Sequence, residues 1–324
     1  MSDKKYSVAS LFCGAGGLDR GFHDGGFQTI WANDFNKDAA ATMKKWCTDA
    51  EVVCGDVCKI AEKDVPRASV MLGGFPCQSF SSMGARRGTN DPRGVLYREY
   101  IRILKTVQPY MFIGENVQGL VTMDNGDVLQ NIIKDFADAG YTLYYDLYNA
   151  ADYGVPQDRK RIIIQGWRND LDGVRIPLPK MQPRVTMRDA LWGKRDPEHD
   201  EVHWGPYSPR FMSVNRKRSW DDVSYTILAG ARSCPLHPSS PDEIQIGEKQ
   251  WAFAPESEGI TRRFAWWEAA LIQTFPEDME FVGSLESRYR QVGNAVPCKL
   301  GEVFAFEIKK ELERLGLPDL ANLR

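Results

Sequence analysis

The chain has 324 residues, 43% of them hydrophobic and 26% charged, with a formal net charge of −3. That length exceeds one average domain and predicts a large domain with a small companion. No stretch approaches the roughly 18 uninterrupted apolar residues of a membrane span, and no apolar signal segment follows Met1-Ser2-Asp3-Lys4-Lys5, so neither a membrane partner nor export is expected. The seven cysteines are odd in number and include no Cys-x-x-Cys pair, which fits the reduced thiols of a cytosol; Cys54 and Cys58 lack the neighbours of a zinc site, so no metal is expected.

In chain order, short β-type runs alternate with helical patterns, which argues for βαβ units and a mostly parallel sheet, an α/β fold. Strands are predicted over 7–12, 29–32, 52–54, 70–73, 111–114, 142–147 and 162–165. One helical stripe runs through Tyr100, Ile103, Leu104 and Val107 and stops before Pro109. Another runs through Val128, Leu129, Ile132, Ile133 and Phe136 and stops at Gly140. Ten of the 18 prolines fall between Leu171 and Gly259, which predicts a separate loop-rich domain. Helical patterns resume at Phe264, Ala265, Glu268, Leu271 and Ile272, and again at Leu300, Val303, Phe304, Ile308 and Leu312. Their apolar stripes need a surface, and the early sheet is the obvious one. The predicted division is therefore 1–170 plus 260–324 for one domain and 171–259 for the other.

Two apolar runs end in chemistry: Ser69 to Phe75 leads into Pro76-Cys77-Gln78, and a second run closes on Glu115-Asn116-Val117. Strands ending in a thiol and a carboxylate can aim both into one cleft, because ligands of open α/β sheets bind outside the carboxyl ends of the strands. The residues after Cys77 carry Gly84, Gly88, Pro92 and Gly94 with Arg86, Arg87 and Arg93, the composition of a mobile loop able to close over a polyanion. The first strand breaks into a glycine turn, Phe12-Cys13-Gly14-Ala15-Gly16-Gly17, and Asp34 follows about 20 residues on, placed to accept ribose hydroxyls. That pattern suits a nicotinamide cofactor as well as S-adenosylmethionine. The third glycine of a dinucleotide fingerprint is missing, since Gly17-Leu18-Asp19 follows Gly16, and Asp56 could bind an adenine amino group. Arg159 and Arg161 alternate on a strand-like segment, so both are expected to face one side. Net charge −3 does not advertise a nucleic-acid binder, yet Arg210, Arg216, Lys217, Arg218 and Arg232 outnumber Asp221 and Asp222 within 205–240. His199 and His203 lack the metalloprotease order and read as surface residues.

Five blocks stand in order: Leu11 to Gly17, Pro76-Cys77-Gln78, Glu115-Asn116-Val117, Gln157-Asp158-Arg159-Lys160-Arg161 and Gly293-Asn294-Ala295-Val296-Pro297. Together they resemble the C5-cytosine DNA methyltransferase family over essentially the whole chain. The resemblance implies a Rossmann-like class I S-adenosylmethionine-dependent methyltransferase sheet with a small, loop-rich target-recognition domain. It implies S-adenosylmethionine as cofactor, leaving as S-adenosylhomocysteine, with Phe12, Gly14, Gly16, Leu18, Asp34, Phe35, Asp56, Val57, Pro76, Leu96, Asn294 and Ala295 at the cofactor. Double-stranded DNA is the implied partner, and the target cytosine is extruded into the pocket. Cys77 is then the nucleophile that adds to C6, because C5 is otherwise too weak to attack a methyl sulfonium. Glu115, carrying or sharing a proton, would offset the charge entering the ring, with Arg159 and Arg161 beside it.

Ser81 and Thr226 resemble phosphate contacts, and Arg216, Arg218 and Arg232 are expected to read bases. Asn215 to Trp220 and Gly230 to Pro238 look like the branch that methylates GGCC. Ala265 and Trp267 stand where the family more often has threonine and arginine. The compact chain is bacterial in style, which implies a cytoplasmic, nucleoid-associated monomer serving a restriction-modification system or acting as an orphan methylase. A cognate endonuclease would act on the same site without a stable complex. Competing classes are a catalytically silent DNA-binding protein on this scaffold, a nicotinamide oxidoreductase, and an RNA-methylating relative.

Overall fold

The structure is a computed structural model and describes residues 6–76, 96–257 and 259–323. In chain order the elements are β1 (Tyr6–Leu11), α1 (Gly17–Asp24), β2 (Phe27–Asp34), α2 (Lys37–Trp46), β3 (Glu51–Cys54), β4 (Val70–Gly73), α3 (Leu96–Val107), β5 (Met111–Val117), α4 (Asp127–Ala137), β6 (Tyr141–Asn149), β7 (Lys160–Arg168), α5 (Met187–Leu191), β8 (Glu243–Gly247), β9 (Gln250–Phe253), α6 (Trp266–Ile272), α7 (Leu285–Asn294) and α8 (Cys298–Arg314). They divide into two units, one of 1–148, 160–179 and 300–324, the other of 149–159 and 180–299.

The first unit holds a seven-stranded sheet in the order β3-β2-β1-β4-β5-β7-β6. Neighbours from β3 to β5 pair parallel, and β7 runs antiparallel to β5. All seven strands predicted from sequence are present, which answers the α/β expectation. β1 and β4 are buried along their whole length, as near-continuous apolar runs require when both faces of a parallel sheet are covered. The chain goes outward from β1 to β2 and β3, then returns to β4 on the other side of β1. This reversal makes a topological switch point at the carboxyl ends of β1 and β4, where ligands of such sheets bind. Beneath it, Phe75, Tyr100, Phe112 and Phe136 fill the core, with the last two rings stacked at 4.6 Å. α3 stops at Val107, ahead of Pro109, as expected. α8 covers the sheet through Phe304, whose ring meets Tyr148 edge-on at 5.1 Å.

Among the described residues, the second unit has only the β8–β9 ribbon and short helices, so its loops need internal hydrogen-bond partners. Buried polar side chains supply them. Arg263, fully buried, donates from Nη1 to the carbonyls of His203 and Gly205, both at 3.0 Å, and lies 4.0 Å under the Tyr207 ring. Gln273 donates to the Val292 carbonyl at 2.7 Å and accepts from Gln157 at 2.9 Å, while Gln157 Oε1 accepts the Ile227 amide at 2.9 Å. Glu268 takes both arms of Arg262, at 2.6 and 2.9 Å, and also the Ala265 amide, at 2.8 Å.

Two sequence expectations change here. Residues 149–159 and 260–299 were placed with the sheet, but the Gln157, Arg263 and Gln273 bonds tie them into the second unit. α6 therefore belongs to the second unit. α7 carried no sequence signal, because half of its buried face is polar: Ser287 and Gln291 lie beside Tyr289 and Val292. Trp267, the departure from the family pattern, donates to Glu201 Oε2 at 3.2 Å beneath the Arg195 guanidinium.

Candidate active site and cofactor cleft

β5 presents Glu115 at its carboxyl end. In the antiparallel pairing, Val117 lies opposite Arg161 and Glu115 opposite Ile163, so Arg161 is a diagonal neighbour of Glu115 on the same face. Its Nε donates to Glu115 Oε1 at 2.8 Å, and both side chains are nearly buried. A Cβ at Gly74 would come within 3.2 Å of Glu115 Oε2, so the glycine leaves room for the carboxylate. Asn116, to which the sequence attached no role, donates from Nδ2 to the Phe75 carbonyl at 2.8 Å. This ties the end of β5 to the chain two residues before Cys77. The Glu115-Asn116-Val117 block was the signal that could have singled it out. Cys77 itself lies outside the described residues, as do Ser81 and the predicted loop with Arg86, Arg87 and Arg93. Pro76 is exposed just past β4, and Leu96 opens α3, half-buried.

At the neighbouring strand ends, the glycine turn and Asp34 are joined directly. Gly14 N–H donates to Asp34 Oδ2 and Asn36 N–H to Oδ1, both at 2.8 Å. Burial raises the Asp34 carboxyl from its usual range, against the two amides that hold it ionised. Gly14 and Gly16 take left-handed φ of 57° and 82°, and a Cβ at Gly16 would lie 2.3 Å from Met43 Sδ, so that position needs glycine. Phe12 also has positive φ, 54°, rare for an aromatic residue. Phe35 is 78% exposed beside Asp34. Asn33 ties the ends of β2 and β3 together through the Val53 and Gly55 carbonyls, at 2.9 and 3.0 Å. Asp56 caps the turn after β3 by accepting the Cys58 amide at 3.0 Å. Leu18 and Val57, expected at the cofactor, are buried.

These groups fit an adenosyl cofactor. A carboxylate already fixed by amides keeps acceptor capacity for ribose hydroxyls, and a Cβ at Gly14 or Gly55 would meet nothing within 4 Å. Exposed Phe35 offers a ring face, and the N-terminus of α1 has no side-chain cap, so its first amides keep donor capacity.

Arg159 corrects the expectation that it shares a face with Arg161. It precedes β7, is buried, and donates to the carbonyls of Ile227 and Gly293 in the second unit, both at 2.9 Å. Asn294, exposed, and Ala295 end α7 in that unit. Arg218 is also committed, pairing with Asp158 at 2.6 Å and lying 4.0 Å from the Tyr225 ring. Arg216 is half-buried over Phe211, and Thr226 donates its hydroxyl to the Asp158 carbonyl at 2.6 Å. Arg232 is exposed, with no ion pair among the described residues. His203 is half-buried against Glu286 rather than on the surface, its pKa lowered by burial. No group of three potential metal ligands occurs among the described residues, and no described helix is long and apolar enough to cross a membrane.

A family profile described as C-5 cytosine-specific DNA methylase matches residues 6–310. The chain is 40% identical to the Type II methyltransferase M.FnuDI of Fusobacterium nucleatum, across 94% of each protein. It is 38% identical to M.NgoPII of Neisseria gonorrhoeae, covering 95% of this chain and 96% of that one. Among solved structures, the S. pombe Dnmt2 methyltransferase shares the fold, with a TM-score of 0.69 at 20% identity, covering 97% of this chain and 100% of the other. Motif blocks, switch-point cleft, profile and relatives converge: the chain belongs to the C-5 cytosine-specific DNA methylase family, as a C5-cytosine DNA methyltransferase on a Rossmann-like sheet.

Proposed function

We propose that this enzyme extrudes a cytosine from duplex DNA and methylates its C5 through a covalent Cys77–C6 adduct, at GGCC or a related GC-rich palindrome. The carrying observation is the Glu115–Arg161 pair at 2.8 Å, standing at a strand end that Asn116 ties to Phe75, two residues before Cys77. The Cys77 thiolate adds to C6 and leaves C5 enamine-like. Glu115, carrying or sharing a proton, engages N3 and the exocyclic amine, and Arg161 holds its carboxyl in place. After transfer, C5 loses its proton and the thiolate is expelled from C6.

S-adenosylmethionine supplies an electrophilic methyl group when bound. Asp34 would hold the ribose, Phe12 and Phe35 the adenine faces, Asp56 the amino group, and the α1 amides the methionine carboxylate, with Pro76 and Leu96 beside them; Asn294 and Ala295 keep only the cofactor role that the family resemblance implies. The second unit would read the site, with exposed Arg232 foremost, because a free guanidinium can grip guanine O6 and N7 while Arg218 is already paired. Arg159 serves as a positioning group. The Type II relatives support a role in a restriction-modification system; in this reading the enzyme acts as a monomer, and a separate endonuclease shares the site. The enzyme is incubated with duplex DNA containing 5-fluorocytosine and then denatured. A resistant adduct is expected from the wild type, since fluorine cannot leave as a proton does, and none from Cys77→Ser; an adduct persisting in that variant sinks the assignment.

A further inference from the structure

β1 and β2 do not keep a single register. Val8 lies opposite Thr29, but Ala9 lies opposite Trp31, so Ile30 has no partner on β1. A bulge of this kind turns every later side chain of the strand to the other face. The packing records it. Ile30 and Trp31, adjacent in sequence, both lie against the core cluster that holds Ala9 and Leu11, whereas Ala32 packs with Met43 and Cys47. Asp34, two residues after Ala32, follows the phase that the bulge sets.

Asp19 of α1 is buried beside this irregularity. Its Oδ1 accepts from Thr29 Oγ1 at 3.2 Å and its Oδ2 from Ser10 Oγ at 3.0 Å. Thr29 is the last paired residue of β2 before the bulge, and Ser10 pairs with Ala32 beyond it. One carboxylate therefore grips the two strands on both sides of the shift. Burying an acid costs stability that an apolar contact would not. Burial pushes this one up to about 6, which leaves it ionised near neutral pH and able to accept both hydroxyls.

We propose that Asp19 is a positioning residue for the methyl-donor cleft: by bracketing the bulge it sets the face of β2 on which Asp34 emerges. The inference rests on the reading of Asp34 as the ribose ligand. The test measures S-adenosylmethionine affinity of the full chain by calorimetry, beside kcat, KM and urea unfolding. Asp19→Ala should weaken binding about 10-fold or more, while kcat at saturating donor stays within about threefold. Asp34→Ala should weaken binding similarly, and the double variant should bind within about twofold of Asp34→Ala alone, because Asp19 acts through Asp34. Should Asp19→Ala not fold, Thr29→Val and Ser10→Ala carry the same comparison, each expected to lose about threefold in the wild-type background and nothing with Asp34→Ala. Wild-type affinity in Asp34→Ala would overturn the ribose reading and this inference with it. Weakened Asp34→Ala beside unaffected Asp19, Thr29 and Ser10 variants, or losses that multiply in full, would overturn the positioning role alone.

Discussion

The carboxyl edge of the sheet and the second unit use charged side chains in opposite ways. At the edge, Asp34 and Glu115 are each fixed by neighbours, yet they stand at strand ends where a ligand arrives. In the second unit, Arg159, Arg218 and Arg263 spend their donors on carbonyls or a carboxylate of the protein. A regular sheet satisfies its own backbone and leaves side chains for chemistry. A loop-rich unit consumes side chains to satisfy its backbone. Arg159 and Arg161, two residues apart, fall on either side of this divide.

The sharpest way to break the contrast is to remove those two guanidiniums separately. Arg159→Met leaves the Ile227 and Gly293 carbonyls without their donors and should cost roughly 3–5 kcal/mol of stability in urea unfolding. Arg161→Met should cost only about 1–2 kcal/mol, since the pair borders the cleft, while kcat falls about 100-fold, close to 2.7 kcal/mol of barrier. Full stability in Arg159→Met with lost activity would reverse the assignment.

The sheet unit does keep one charge internal, and pH exposes it. Asp19 rises from 3.8 to about 6 in the folded chain, by burial. The folded protein therefore holds this proton after the unfolded chain has lost it. Between pH 3.8 and about 6, stability should fall as pH rises, by on the order of 3 kcal/mol. Asp19→Asn should flatten that fall. Urea midpoints at pH 4.5 and pH 7 compare the two proteins, and an equal fall in both would assign it to other groups.

The smallest effects separate arginines within the second unit. Arg232→Ala should cost about 1–3 kcal/mol at one base pair of the mapped site and little elsewhere. Arg218→Ala breaks a partly exposed ion pair and should lower stability by under about 1 kcal/mol. Competition binding against single-base-pair variants reads the first, and urea unfolding reads the second. Uniform losses across all positions in Arg232→Ala would assign it to phosphate contact.

Much of the first unit was legible because its information is local. Strand runs such as Val70 to Gly73 are apolar on both faces, the glycine turn ends β1, and Asp34 follows at a spacing set by one βαβ unit. The second unit was harder to read. Its buried face is polar, so α7 lacked an apolar stripe, and α6 looked like any amphipathic helix in need of a sheet.

The positions of the strands along the chain, the glycine turn and the Glu-Asn-Val and Gln-x-Arg-x-Arg blocks were determined by the sequence alone, since each depends on neighbours within a few residues. Which arginine meets Glu115, which arginines are spent on carbonyls, and on which face Asp34 emerges were decided only by tertiary structure. Those outcomes depend on partners such as Arg159 and Gly293, 134 residues apart, and on a one-residue bulge that spacing does not record. Hydrogen-bond satisfaction is settled in space, among groups that the chain order does not bring together.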